Sequence, residues 1–92
     1  MIIRIHYTTQ LRMALGIDSE EFDVPEGSTL RDLLRQLRRH YPEALEQYVL
    51  NARDQLQPSV LLCVGDRHVG NDLSVLLQDG EEVTILSVIS GG

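Results

Sequence analysis

Apolar and polar residues alternate at the start of the chain: Ile3, Ile5 and Tyr7 can face one way while Arg4, His6 and Thr8 face the other. A period of two marks a strand with one buried face. The pattern returns over residues 20–24, where Phe22 and Val24 stand among charged neighbours, with Gly16 and Asp18 in the connection. The two stretches read as a hairpin. Pro25-Glu26-Gly27 ends it by turn chemistry, proline fixing φ and glycine accepting a positive one. The period then changes: Leu30, Leu33, Leu34 and Leu37 recur at helical spacing behind Thr29. Thr29 is the expected N-cap, its hydroxyl accepting a first-turn amide, and Asp32 suits the positive end of the helix. Pro42 should stop the helix near His40, because the residue before a proline is pushed out of the helical region.

Beyond it, Leu45 and Val49 suggest a shorter helix over residues 43–50, followed by a polar loop through Asn51, Asp54 and Pro58. Residues 60–64 form a continuous apolar run between Pro58 and Gly65, which reads as a fully buried strand of a mixed sheet. Gly65-Asp66 suits a tight turn into a short strand around His68 and Val69. Leu73, Val75, Leu76 and Leu77 make an apolar patch that ends at Asp79-Gly80, and a last strand follows over residues 83–88. Alternation puts Val83 and Ile85 in the core and Leu86 nearer the surface. The implied fold class is α+β, a β-grasp-like mixed sheet of about four to five strands with one main helix across one face. One helix cannot cover both faces, so the other is left partly open to water or to a partner. The first and last strands lie side by side and parallel, joined by the long crossover through the helix.

The chain has 92 residues, which bounds it to one small domain, and 42% apolar with 24% charged residues is an ordinary globular balance rather than that of a disordered chain. No run approaches the roughly 20 apolar residues of a membrane span, and Met1-Ile2-Ile3-Arg4 lacks a signal-peptide core. A single cysteine, Cys63, excludes an internal disulfide and points to a reducing compartment. The chain is therefore read as cytoplasmic. A net charge of −6 repels phosphate backbones, so neither nucleic acid nor an anionic membrane is the expected partner, and a positively charged protein suits it better. All eight basic residues are arginine.

Chemistry is sparse along most of the chain. There is no Gly-rich phosphate loop and no nucleophile elbow, and His6, His40 and His68 fall in different elements, so no metal site is expected. Cys63, inside an apolar run with no cationic neighbour in sequence, reads as core packing rather than redox chemistry. Glu20-Glu21 and Glu81-Glu82 sit beside turns and read as solvated. Arg31, Arg35, Arg38 and Arg39 share the exposed face of the main helix, either as a solvated surface or as a dock for acidic groups. The chain is not expected to be an enzyme by itself. Gly91 and Gly92 follow the last strand directly, and from the residues alone they are either a frayed end or a slim thread able to lie in a narrow groove. Gly92 would present a carboxylate with no Cβ beside it.

The stretch from Asp79-Gly80 through Glu81-Glu82-Val83-Thr84-Ile85-Leu86-Ser87-Val88-Ile89-Ser90 to Gly91-Gly92 resembles the ending of the MoaD/ThiS-type ubiquitin-like sulfur carrier proteins. Tyr7 with Leu11-Arg12 and Gly16 resembles their first hairpin, Pro25-Glu26-Gly27-Ser28-Thr29-Leu30 with Leu33-Leu34 their helix start, and Val64-Gly65-Asp66-Arg67 their penultimate turn. The resemblance implies one ubiquitin-like domain over residues 1–92 with a tail at 90–92. It implies that Gly92 is the acyl site, adenylated by a ubiquitin-activating-type adenylyltransferase that uses ATP and converted to a thiocarboxylate by a persulfide donor protein. No cofactor or metal would be bound by the chain itself. Gly91 and Ser90 would lie in the partner's tunnel, and Leu86, Val88 and Ile89 would supply apolar contacts. The acceptor would be an enzyme such as a molybdopterin synthase large subunit or a thiazole synthase. Ser87-Val88 stands where many molybdopterin synthase small subunits carry proline, and the segment 42–58 resembles the longer carriers, so molybdopterin, thiamine and cysteine pathways stay open. Two other roles stand beside the carrier: a ubiquitin-like modifier joined to lysines of other proteins, and a non-catalytic β-grasp interaction module. Without lysine, this chain cannot form lysine-linked chains on itself.

Overall fold

The opening alternation forms the middle of a sheet. In a computed structural model that describes residues 1–87, strand β1 (Ile2–Tyr7) buries Ile3, Ile5 and Tyr7 and turns Ile2, Arg4 and His6 outward. It pairs antiparallel with β2 (Ser19–Asp23), in a register that sets Ile3 opposite Phe22 and Arg4 opposite Glu21. Its other neighbour is β5 (Glu82–Ser87), which runs parallel to it. Strand β3 (Val60–Val64) pairs antiparallel with β5 and with the short edge strand β4 (Arg67–Gly70). The order across the five-stranded sheet is β2-β1-β5-β3-β4, so the expected parallel first and last strands do occupy its interior.

The connection between β1 and β2 is more than a loop. It contains a short helix, α1 (Thr9–Leu15), that buries Leu11 and ends on Gly16 in the left-handed conformation at φ 75°. The main helix, α2 (Leu30–His40), buries Leu30, Leu33, Leu34 and Leu37 against the sheet. Its capping box is complete: the Thr29 hydroxyl accepts from the Asp32 amide at 3.3 Å, and the Thr29 amide donates to the Asp32 carboxylate at 2.9 Å. The Thr29 amide and hydroxyl, both donating to that carboxylate, hold the Asp32 carboxyl below its usual range, the amide contributing most. Pro42 then opens α3 (Pro42–Tyr48), where its missing amide costs nothing. Backbone bonds from Leu30 to Val75 and from Leu77 to Ser28 strap the apolar patch to the start of α2, burying Leu73 and Leu77 but leaving Leu76 exposed.

All helices lie on one side of the sheet, and this corrects the reading of residues 60–64. Val60, Leu62 and Val64 are buried in the core, but Leu61 is 38% exposed and Cys63 is half-buried on the opposite face. A strand can be apolar on both sides while only one side is covered. Cys63 is thus not a core residue.

Candidate functional site

The uncovered face can be read row by row from the strand registers. Arg4 stands between Glu21 and Glu82, and its guanidinium reaches Glu21 at 3.2 Å. One row on, Ser19, His6, Thr84, Cys63 and His68 run across the sheet, and His6 Nε2 lies 2.6 Å from a Glu82 carboxylate oxygen. In the last row Leu86 stands beside Leu61. The face therefore grades from a charged ladder at one end to an apolar pair at the other, and the apolar end is where β5 delivers the chain to residue 88. Leu61 is exposed and Leu86 half-buried, bordered by the polar side chains of the neighbouring row. Leu86 is half-buried on this open face, nearer the surface than Val83 and Ile85, as its alternation implies. Val88, Ile89, Ser90, Gly91 and Gly92 fall outside the described residues.

The root of the last strand is held in an unusual way. The ladder between β1 and β5 ends at Tyr7 and Ile85. Past that point the Thr8 hydroxyl donates to the Ile85 carbonyl at 2.8 Å, and the Thr9 hydroxyl reaches the Ser87 carbonyl at 3.4 Å. Thr8 is also the N-cap of α1, but its side chain makes no capping bond there.

Away from this face, two sequence readings need correction. Glu20 is not a solvated carboxylate: it accepts from the Tyr7 hydroxyl at 2.6 Å and from the Tyr41 hydroxyl at 2.8 Å, tying β1 and β2 to the junction of α2 and α3. Burial, reinforced by the hydrogen bond to Glu20, pushes both phenols above their ordinary value, Tyr7 far more than Tyr41. The arginine face of α2 is only partly solvated. Arg38 pairs with Asp54 and, at 3.0 Å, with Glu46, Arg35 approaches Asp54 at 3.7 Å, and Arg31 donates to the Asp54 carbonyl at 2.8 Å. Asp54 holds a left-handed backbone at φ 58°, in a loop organised by the Asn51 side chain accepting from the Arg53 and Gln55 amides. Three of the four arginines thus fasten a loop, while Arg39 makes no ion pair among the described residues.

Catalytic constellations are missing from residues 1–87. No group of three metal-ligating side chains occurs among the described residues. No helix among them is long and apolar enough to cross a membrane.

Comparison with known proteins agrees with this arrangement. The model of the ThiS family matches residues 5–92. The molybdopterin synthase sulfur carrier subunit of Chlamydomonas reinhardtii is 26% identical over 92 residues, covering the whole of both chains. Among solved structures, SAMP1 from Haloferax volcanii superposes with a TM-score of 0.87 at 22% identity over all of both chains. The small archaeal modifier protein 1 from Methanosarcina acetivorans does so at 0.80 and 26% identity, over 99% of this chain and 96% of its own.

Proposed function

Because the chain belongs to the ThiS family of ubiquitin-like β-grasp proteins, we propose that it is a sulfur carrier whose reactive group is the carboxylate of Gly92. A carboxylate resists nucleophiles because it has no good leaving group. Attack of the Gly92 carboxylate on ATP, in the active site of an adenylyltransferase, displaces pyrophosphate and leaves an acyl-adenylate. The terminal sulfur of a partner's persulfide then displaces AMP, and thiol reduction of the acyl disulfide releases the thiocarboxylate. The carrier binds neither ATP nor metal itself. Its contribution is access: Gly91 and Gly92 have no side chains to obstruct a narrow channel, with Ser90 ahead of them.

The observation that carries this reading is the likeness to a sulfur carrier subunit along the whole chain. The open face supports it. Leu61 and Leu86 offer an apolar seat beside the tail, and Val88 and Ile89 would extend it. An acidic carrier with its ladder of Glu21, Arg4, Glu82 and His6 on the same face suits a partner with basic groups at the rim. The acceptor would be a synthase that assembles with the carrier, as the name of the Chlamydomonas relative describes for that protein. Molybdopterin formation is the pathway this relative favours. A reducing compartment suits a thiocarboxylate, and the cytoplasm is the one proposed here.

Incubation with ATP, the cognate activating enzyme and a persulfide donor should exchange one oxygen for sulfur in the intact mass, and removal of Gly92 should abolish the change. An unaltered mass with an enzyme proven active on another carrier would rule the proposal out. The likeness to an archaeal modifier protein favours a second use of the same adenylate, transfer to lysines of other proteins. Lysine-linked adducts recovered from cells would establish it. Adducts joining copies of this chain through lysine are excluded, since all eight basic residues are arginine.

A further inference from the structure

We propose that Thr8 and Thr9 are positioning residues for the tail, a clamp of two hydroxyls that holds the end of β5 in strand geometry after its partner strand has turned away. The proposal rests on Gly92 as the acyl site. In a regular parallel pair the carbonyls of β5 on the β1 side would find amides of β1. Here β1 leaves the ladder after Tyr7 to enter α1, so the carbonyls of Ile85 and Ser87 lose those partners. A backbone carbonyl left unpaired invites water and local opening. The hydroxyls of Thr8 and Thr9 take the place of the missing amides, at 2.8 and 3.4 Å. On its opposite edge β5 remains paired with β3, Ser87 standing across from Val60. The end of β5 therefore lies between the β3 strand on one edge and the threonine side chains on the other.

Two further observations show that these threonines are arranged for this contact at a local cost. Thr8 occupies the N-cap of α1 in an extended conformation, φ −128° and ψ 157°, where a threonine ordinarily accepts from the first helical turn; its hydroxyl is bonded instead to β5. Thr9 has φ 48°, a left-handed conformation that a β-branched residue rarely adopts. That strained step turns the chain from β1 into α1 and brings the Thr9 hydroxyl to Ser87. A strained residue persists when its surroundings over-determine it, and here those surroundings include the root of the reactive tail. The clamp fixes the position and heading of Leu86 and Ser87, so that less of the chain leading to Gly92 must be ordered when a partner takes it up.

The test replaces Thr8 by Val, which keeps shape and removes the hydroxyl, and Thr9 by Gly, which removes the hydroxyl and relieves the backbone. Thr8→Ser and Thr9→Ser retain both donors. Amide hydrogen exchange at Leu86 and Ser87 should quicken about two- to tenfold in the first pair, the weight of one hydrogen bond, with exchange in the pairing of β1 and β2 unchanged. The serine variants should exchange at the original rate. In ATP–pyrophosphate exchange with the cognate activating enzyme, KM for the carrier should rise by a similar factor in the first pair while kcat holds, and the serine variants should restore KM. Unchanged exchange at Leu86 and Ser87 overturns the clamp. Faster exchange with an unchanged KM overturns its role in positioning. If the original chain supports no pyrophosphate exchange, the proposed function fails instead, and the hydrogen-exchange result still decides whether the clamp exists.

Discussion

The two faces of the sheet are built from the same strands and do opposite work. On the covered side Ile3, Ile5, Leu62, Val83 and Ile85 meet the leucines of α2 in one continuous core. On the open side the next residue along each strand is charged, hydroxylated or left partly wet: Arg4, His6, Glu82 and Thr84, ending in Leu61 and Leu86. Burial earns stability only where water is excluded, so a leucine on the first face and a leucine on the second are not equivalent. The difference teaches that apolar character alone does not assign a residue to the core, and that surplus apolar area on an uncovered face is available for a partner.

Neighbouring residues of β3 make the sharpest test. Leu62→Ala should cost about 2–5 kcal/mol in chemical denaturation, since its site is closed on all sides. A loss no greater than that of a surface change would break the distinction between faces. Next in size, Glu20→Ala should cost about 1–3 kcal/mol, because it leaves the buried Tyr7 hydroxyl without its acceptor. The same cluster predicts the alkaline behaviour. Both phenols are held above their ordinary value in the fold, so their contribution is complete below about pH 10. Above it the unfolded chain releases protons that the native state keeps, and stability falls with rising pH. Denaturation at stepped alkaline pH should therefore show a shallower decline in Tyr7→Phe. Thr29→Ala, which removes the cap from the helix that covers the core, should cost about 0.5–2 kcal/mol. Smallest of all, Leu61→Ala should change stability by within about 0.5 kcal/mol, while weakening the activating enzyme's uptake of the carrier in the same pyrophosphate-exchange assay.

Where periodicity was strong, sequence and structure agree: β1, β5 and α2 carry clear two- and 3.6-residue patterns, and Thr29 with Asp32 forms the box its spacing implied. The short helix α1 escaped detection because it buries one residue, Leu11, and helical periodicity over seven residues is a weak signal. Gly16 just past its end was the available cue, a glycine where a helix needs a left-handed C-cap. Residues 60–64 were misread for a reason internal to the sequence: a strand buried on both faces is incompatible with a sheet covered on one. Glu20 was misread because its partners, Tyr7 and Tyr41, are 13 and 21 residues away, and no local pattern announces a contact made by folding. The candidate site divides in the same manner. The place of Leu86 on the open face was legible in the alternation of its strand, whereas Leu61, Thr8 and Thr9 join it only through strand pairing and hydrogen bonds made by folding.

The central position of β5 has a temporal consequence. The sheet's interior pair joins residues 4–7 to residues 82–85, so the ribosome must make the whole intervening stretch before β1 can find its neighbour on that side. Closing a loop of that length delays the pairing further. Until then β1 and β3 lack their common partner, and the nascent chain exposes two unsatisfied strand edges.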